Sequence, residues 1–155
     1  MTEQSATEGP TGLQMLQAML AGGKNIDTIG ETLDFTLTEA SFGKAVFIGH
    51  PGKKHLNPRG IVHGGYAATL LDSAVGISIL SALPAGKAFT TLELKVNYVR
   101  ELPQDGSRVT ATGSTIHVGR TTATAEGRIE DEQGRLLAHA TTTCLILDNP
   151  ARRGT

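Results

Sequence analysis

The stretch NPRGIVHGGYAATLLDSAVG, residues 57–76, joins a glycine-rich turn to the first part of a predicted apolar helix. Over residues 66–83 the apolar side chains go almost all the way round a helical wheel, which is typical of a helix buried on every side. Asp72 is the only charged residue of that segment. Because an unpaired charge is costly to bury, Asp72 either meets a solvated gap with local hydrogen bonds or belongs to an active site.

The tripeptide His63-Gly64-Gly65 stands at the start of this predicted helix. The first turn of a helix has free backbone N–H groups and the positive end of the helix dipole. Two glycines let a ligand approach that backbone closely, and such a corner suits a developing oxyanion. A glycine-rich turn into a helix is the simpler interpretation, and the two glycines alone do not decide between the two.

The spacing between the two features adds a geometric constraint. Gly64 and Asp72 are eight residues apart, which is ~12 Å along one α-helix. One small reacting group cannot touch both residues of the same helix. If both act on one carbonyl, they come from two copies of the chain, and the spacing then predicts a dimer with shared sites.

The remaining elements predict an α+β domain. Residues 13–21 have apolar side chains at helical spacing and end at Gly22-Gly23. Residues 92, 94, 96 and 98 form one apolar face of an alternating strand. Strands are predicted over residues 32–38, 44–48, 90–99, 108–118, 121–130 and 135–147, the last four as an antiparallel meander around the central helix 65–83. Residues 1–12 are predicted to be a disordered tail, and residues 148–155 a frayed one.

Charge and composition exclude several classes of protein. The net charge of −1, from 14 basic and 15 acidic residues, provides no footprint for nucleic acid or for an anionic membrane. Cys144 is the only cysteine, so no intrachain disulfide is possible. We find no secretory signal and expect no apolar run of the ~18 residues that a membrane span needs. These features favour a cytoplasmic protein.

Two motifs surround the features described above, Asn57-x-x-Gly60-x-x-His63-Gly64-Gly65 and Leu71-Asp72-Ser73-Ala74-x-Gly76. Together with the strand at residues 91–98 and the segment 118–121, they resemble the hotdog-fold acyl-CoA thioesterases of the phenylacetate-pathway and hydroxybenzoyl-CoA type. The resemblance extends over residues 30–147. It implies a hotdog domain over residues 13–147, with a long central helix wrapped by a curved antiparallel sheet of about six strands.

The resemblance also implies a function and an assembly. It implies hydrolysis of acyl-CoA thioesters with aryl or medium-chain acyl groups, in a homodimer with composite sites that assembles further into a dimer-of-dimers tetramer. Coenzyme A is then part of the substrate, and neither a separate cofactor nor a metal is needed. The acyl group itself is not specified by the motifs.

Site residues follow from the resemblance position by position. Asp72 matches the catalytic carboxylate, as general base or as nucleophile, and Gly64 matches the residue whose N–H polarises the thioester carbonyl. Thr91 matches a residue that orients water, with a shift to Thr90 left open. The remaining matches are Asn57 and His63 in the catalytic corner, and Gly65, His117, Val118, Gly119, Arg120, Thr121 and Thr122 for substrate and coenzyme A.

Other chemistries have weaker support in the sequence. No Gly-x-Ser-x-Gly elbow occurs, and the alternating strand around Cys144 predicts a buried thiol rather than a nucleophile. The spacing of His50, His55 and His63 fits no known metal motif. Two functions on the same fold remain as alternatives: an enoyl-CoA hydratase or dehydratase, and a non-catalytic acyl-CoA-binding protein.

Overall fold

One long helix and one sheet make up most of the structure, a computed structural model that describes residues 9–23 and 28–149. The helices are α1 (Gly12–Gly22), α2 (Ile29–Leu33) and α3 (Gly64–Ala82), and a single 3-10 turn covers Lys53–His55. The strands are β1 (Phe35–Ser41), β2 (Lys44–Gly49), β3 (Lys87–Tyr98), β4 (Val109–Val118), β5 (Thr122–Glu130) and β6 (Leu136–Asp148). Of the tails predicted over residues 1–12 and 148–155, residues 1–8 and 150–155 lie outside the described residues. The prediction is wrong for Thr11 and Gly12, the N-cap and first residue of α1, and for Asp148, which ends β6.

Helix α1 extends one residue beyond the predicted range 13–21 at each end. Thr11 and Gln14 form a reciprocal capping box, because the Gln14 N–H donates to Thr11 Oγ1 and the Thr11 N–H donates to Gln14 Oε1. Gly23 ends the helix in the left-handed conformation, with φ at 58°. The Gly12 N–H also donates to the Leu83 carbonyl, so α1 is attached to the end of α3.

The strand predicted over residues 32–38 is a helix followed by a strand. Residues 29–33 form α2, and Asp34 ends it in the left-handed conformation, with φ at 60° and its N–H directed at Glu31 O. Strand β1 begins only at Phe35. A five-residue helix is too short to show a helical period in the sequence, so the local cap decided its end.

The six strands form one antiparallel sheet in the order β1-β2-β4-β5-β6-β3. The predicted four-strand meander is therefore wrong for its first strand: β4, β5 and β6 are consecutive neighbours, whereas β3 pairs with β6 at the edge. The connection from β3 to β4 is too long for a tight hairpin, and it buries Leu102 in the core. Val99 and Arg100 both donate their N–H groups to Leu137 O, which extends the β3–β6 pairing.

Helix α3 packs on the sheet at very close range. Leu70, Leu71 and Ile79 are fully buried between the two layers. Two strand glycines permit the contact: a Cβ atom on Gly113 would collide with the carbonyl group of Ala74, and one on Gly127 would lie 2.7 Å from Val75 Cγ1. This is the hotdog architecture that the sequence predicts, with a curved sheet around one helix.

The 19 residues of α3 are enough, by length and composition, to span a membrane, contrary to the expectation that no apolar run is so long. Ten of them are buried inside the domain, which accounts for their apolar character.

We predict that Gly113→Ala lowers the free energy of unfolding by roughly 1–3 kcal/mol or more, because the added methyl group must displace the backbone of α3. Urea unfolding at one fixed protein concentration measures the change. Gly22→Ala is the matched control, since a Cβ atom there meets nothing within 4 Å. An unchanged midpoint for Gly113→Ala would show that the helix and the sheet are not in tight contact.

Candidate active site

Asp72 is neither fully buried nor unpartnered. It lies on the side of α3 that faces β3, it is half-buried, and its Oδ1 accepts a hydrogen bond of 3.0 Å from the Thr91 hydroxyl. Thr90, the neighbour left open by the sequence, is exposed. The carboxylate is thus partly desolvated and held by one side chain, with its other oxygen free of any side-chain hydrogen bond among the described residues.

A β-bulge directs Thr91 towards the helix. The register of β3 against β6 shifts between Thr91 and Glu93, so Leu92 is the extra residue. Strict alternation had placed Leu92 on the inner face, yet it is 57% exposed, whereas Leu94 and Val96 pack against the core as predicted. The bulge reverses which residues before it face inward, so Thr91, predicted on the outer face, points to the helix and bonds to Asp72.

Small polar groups support Thr91 from behind. Thr91 pairs with Cys144 across the sheet, and the two side chains are 4.0 Å apart, Sγ to Oγ1. Thr142 donates its hydroxyl to Glu93 O at 2.7 Å and so fixes the far side of the bulge. Burial raises the pKa of the Cys144 thiol, which agrees with the prediction of a buried, unreactive cysteine.

The N-terminus of α3 forms a second polar corner. His63 is the N-cap, and its Nδ1 accepts a hydrogen bond of 2.8 Å from the Gly65 N–H. A neutral His63 therefore has its proton on Nε2. The Gly64 N–H makes no hydrogen bond within the described part of the chain, so it is a free donor at the positive end of the helix dipole.

Asn57 organises the loop that leads into this corner. Its Oδ1 accepts hydrogen bonds from the N–H groups of Arg59 and Ile61, and its own N–H donates to Ile61 O. The side-chain amide nitrogen has no hydrogen-bond partner among residues 9–23 and 28–149. The Asn57 side chain therefore holds the loop through its Oδ1, while its Nδ2 group can still donate a hydrogen bond to a ligand.

Tyr98 also belongs to this corner, and the sequence indicated no role for it beyond strand alternation. Its hydroxyl donates to Gly64 O at 3.0 Å, and its ring atoms lie 3.1–3.2 Å from the position of a Cβ atom on Gly64. The side chain is 57% exposed although it contacts α3. The only sequence signal for this contact was that Tyr98 continues the inward-facing series of Leu94 and Val96 along β3.

The segment matched to coenzyme A is the β4–β5 turn. His117 and Val118 end β4, Gly119 donates its N–H to Thr122 O, and Arg120 is exposed at the tip. Val118 pairs with Ala123, Ala123 with Cys144, and Cys144 with Thr91. The turn thus lies at the level of Thr91, three strand spacings or ~14 Å away across the sheet.

The structure brings the predicted residues together in two groups rather than one. The first group is Asp72, midway along α3, with Thr91 beside it on β3, level with the β4–β5 turn. The second group lies at the N-terminus of α3 and consists of Asn57, His63, Gly64 and Gly65. No three His, Cys, Asp or Glu side chains in the described ranges are arranged to hold a metal ion.

Comparison with known proteins agrees with this architecture. Residues 59–138 match the model of the Thioesterase superfamily. The 1,4-dihydroxy-2-naphthoyl-CoA hydrolase of Listeria monocytogenes is 28% identical over 75% of this chain and 93% of its own length. The medium/long-chain acyl-CoA thioesterase YigI of Escherichia coli K12 is 29% identical over 70% and 77%. A mutant structure of the phenylacetic acid degradation protein PaaI of Thermus thermophilus is 30% identical, with a TM-score of 0.69 over 77% of this chain and 98% of that one.

The matched model covers more than half of the chain and includes the His-Gly-Gly corner, Asp72 and Thr91. The protein belongs to the Thioesterase superfamily, as the sequence motifs predicted.

We predict that His63→Ala lowers the free energy of unfolding by about 0.5–2 kcal/mol, because α3 loses its side-chain N-cap. His63→Asn retains an acceptor suited to the N-cap position and should cost less. Thermal unfolding of the three proteins at equal concentration tests the ranking. An Asn variant no more stable than the Ala variant would contradict the capping role.

Proposed function

We propose that this protein hydrolyses acyl-CoA thioesters to the free acid and coenzyme A. The observation that carries the proposal is the half-buried Asp72 carboxylate, oriented by Thr91 on the core helix of a member of the Thioesterase superfamily. The names of the Listeria and E. coli relatives, both CoA-thioester hydrolases, support the substrate class. Coenzyme A enters as part of the substrate, and the reaction needs no further cofactor.

In the proposed reaction, the corner at the N-terminus of α3 stabilises the oxyanion, and the corner around Asp72 activates water or provides the nucleophile. The free Gly64 N–H, at the positive end of the α3 dipole, donates to the thioester oxygen as it gains negative charge. Asp72, with its orientation set by Thr91, either takes a proton from the attacking water or attacks the carbonyl itself. Asn57 and His63 contribute the remaining side-chain donors beside Gly64.

The reacting carbonyl must contact both corners, so we propose that two chains form each site. Asp72 and Gly64 are ~12 Å apart along one helix, too far for one carbonyl group. Strand β3 contacts both residues: Thr91, in its first half, bonds to Asp72, and Tyr98, at its end, bonds to the Gly64 carbonyl. Pairing of β3 with a second copy of itself would therefore bring Asp72 of one chain towards Gly64 of the other.

Strand β3 is also one of the two edges of the sheet, the other being β1, and it carries the exposed apolar side chains of Leu92 and Tyr98. A long unpaired edge with apolar groups favours pairing with another strand. Antiparallel pairing of two β3 strands about a two-fold axis at Lys95, with Leu92 as the bulged residue, would place Thr91 opposite Tyr98 of the partner subunit. This arrangement closes as a dimer. The tetramer that the family resemblance implies stays a prediction, tested by light scattering.

The β4–β5 turn is the proposed contact for coenzyme A. It lies level with Thr91, and Arg120 at its tip is exposed and able to bind a phosphate in bidentate geometry. Aryl and medium-chain acyl groups both remain candidates.

The first test is thiol release from a panel of aryl- and alkyl-CoA thioesters. Asp72→Asn should reduce kcat by at least about 10²-fold, because the amide can neither accept the proton nor attack. Asp148→Asn, which removes an exposed carboxylate paired with Lys87 at 2.6 Å, should leave the rate unchanged. Equal turnover by wild type and Asp72→Asn, or hydration of an enoyl-CoA with the thioester intact, would overturn the proposal.

The role of the Gly64 N–H is tested by a pair of variants at that position. Gly64→Pro removes the N–H, and proline is tolerated at the first position of a helix. His63, with φ at −62° and ψ at 135°, already has the backbone that a following proline requires. Gly64→Ala is the control, since it meets Tyr98 in the same way but keeps the N–H. We expect kcat to fall about 10²–10³-fold further in the proline variant.

Mixing these variants tests the shared site. Asp72→Asn and Gly64→Pro homodimers should each be inactive, but a heterodimer would contain one site with both groups intact. Unfolding and refolding an equal mixture should therefore restore about a quarter of wild-type activity, as expected for random pairing in a two-fold dimer. No recovery in a mixture that forms heterodimers would place both residues in the site of one chain.

A further inference from the structure

His55 is a buried residue of the loop that leads from β2 to α3, and it forms hydrogen bonds near both ends of that loop. Its Nδ1 accepts a hydrogen bond of 3.0 Å from the Gly52 N–H at the start of the loop. Its backbone carbonyl accepts one of 2.8 Å from the His63 N–H, one residue before Gly64. The backbone of His55 is therefore linked directly to the N-cap residue of α3.

The imidazole is buried and closely packed. It is 6% exposed, and its ring centroid is 4.6 Å from that of Tyr66, which is 3% exposed on the first turns of α3. His55 Nε2 and the Tyr66 hydroxyl are both buried without a hydrogen-bond partner in the described residues. The ring thus joins the loop to the helix by packing on Tyr66, whereas its hydrogen bond from Gly52 lies within the loop.

The bond from Gly52 requires the neutral ring. Because Nδ1 accepts that N–H, the single proton of the neutral imidazole is on Nε2. The cation has N–H groups at both nitrogens, so protonation would set two N–H groups of His55 and Gly52 against each other. It would also bury a positive charge, and the Nε2–H, already without an acceptor in the neutral ring, offers that charge no hydrogen bond.

The charged and titratable groups around His55 do not compensate for a buried cation. Those that face it are Asp34 after α2, His50 after β2, Lys53 and Lys54 on the same loop, Tyr66 of α3 and Asp105 of the β3–β4 connection. Burial, and then the Lys54 charge, lower the pKa of His55 below its ordinary value, against the opposite effect of Asp34. Burial holds the pKa of the Tyr66 hydroxyl well above its usual range, so Tyr66 remains neutral.

We propose that neutral His55 is a positioning residue for the polar corner at the N-terminus of α3, and that its protonation displaces the loop carrying Asn57, His63 and Gly64. The inference rests on the proposed function for its kinetic consequence but not for its structural one. A folded-state pKa below the unfolded value means that the contribution of His55 to stability is present above the ordinary histidine pKa and is lost as pH falls through the folded one.

The structural consequence is tested on wild-type protein by NMR. The ring protons of His55 report its titration, and the backbone amides of Gly52, His63 and Gly64 should shift with the same midpoint. The amides should not follow that midpoint in His55→Asn, which has no titrating ring. Amides that ignore the His55 titration would overturn the proposal, whatever the protein is found to catalyse.

The kinetic consequence is tested with two variants of His55. Asparagine carries an acceptor near the position of Nδ1, whereas glutamine carries its amide near Nε2 and leaves the Gly52 N–H without its acceptor. His55→Gln should lower kcat about tenfold or more, since small misplacements of a catalytic group are costly, with KM changed less than about twofold. His55→Asn should keep kcat within about threefold and lose any acid limb that matches the His55 midpoint.

His50→Asn is the control, because His50 lies in the same loop and contacts Gly106 O instead. Its pH profile should match that of wild type. An unchanged kcat in folded His55→Gln, or an equal loss in both His55 variants, would overturn the positioning role. If wild type releases no thiol from any substrate, the proposed function fails, and the NMR titration alone decides the role of His55.

Discussion

The close contact between α3 and the sheet is the constraint on which the rest of the structure depends. It exists because Gly113 and Gly127 leave no side chain where the helix crosses β4 and β5. At that separation the side chains on α3 fill the space under a curved sheet, and Leu71 and Val75 are fully buried. The position of the helix then determines the depth at which Asp72 lies and the distance from which Thr91 can reach it.

The cost of a carboxylate in an apolar helix is met locally rather than by a counter-charge. Asp72 is half-buried and accepts one hydrogen bond from a neutral hydroxyl. Thr91 orients the carboxylate without an ion pair in the described part of the chain, which is compatible with the base or nucleophile role proposed for Asp72. The bulge at Leu92 makes this possible, because it turns Thr91 towards the helix without disturbing the inward side chains further along β3.

The other corner depends on backbone geometry. The free Gly64 N–H is a donor only while the loop before α3 keeps the helix start in place. Hydrogen bonds from Gly52 to His55 and from His63 to the His55 carbonyl hold that loop, and Asn57 bonds it internally. Tyr98 attaches the same corner to the edge strand. A small hydrogen-bond network therefore keeps one amide group oriented, which the oxyanion role proposed for Gly64 requires.

Local periodicity and short motifs were enough to predict the central helix, the strands that follow it and the α+β class, and they singled out Asp72 and the His-Gly-Gly turn as candidate site residues. Only the tertiary structure decided that β3 lies beside β6, that Leu92 is exposed and that Thr91 rather than Thr90 bonds to Asp72. Strand order and bulges arise from pairing between residues far apart in the chain, which no local pattern encodes. The same holds for Tyr98 and His55, whose contacts with α3 and its N-cap exist only once strand, loop and helix are packed together.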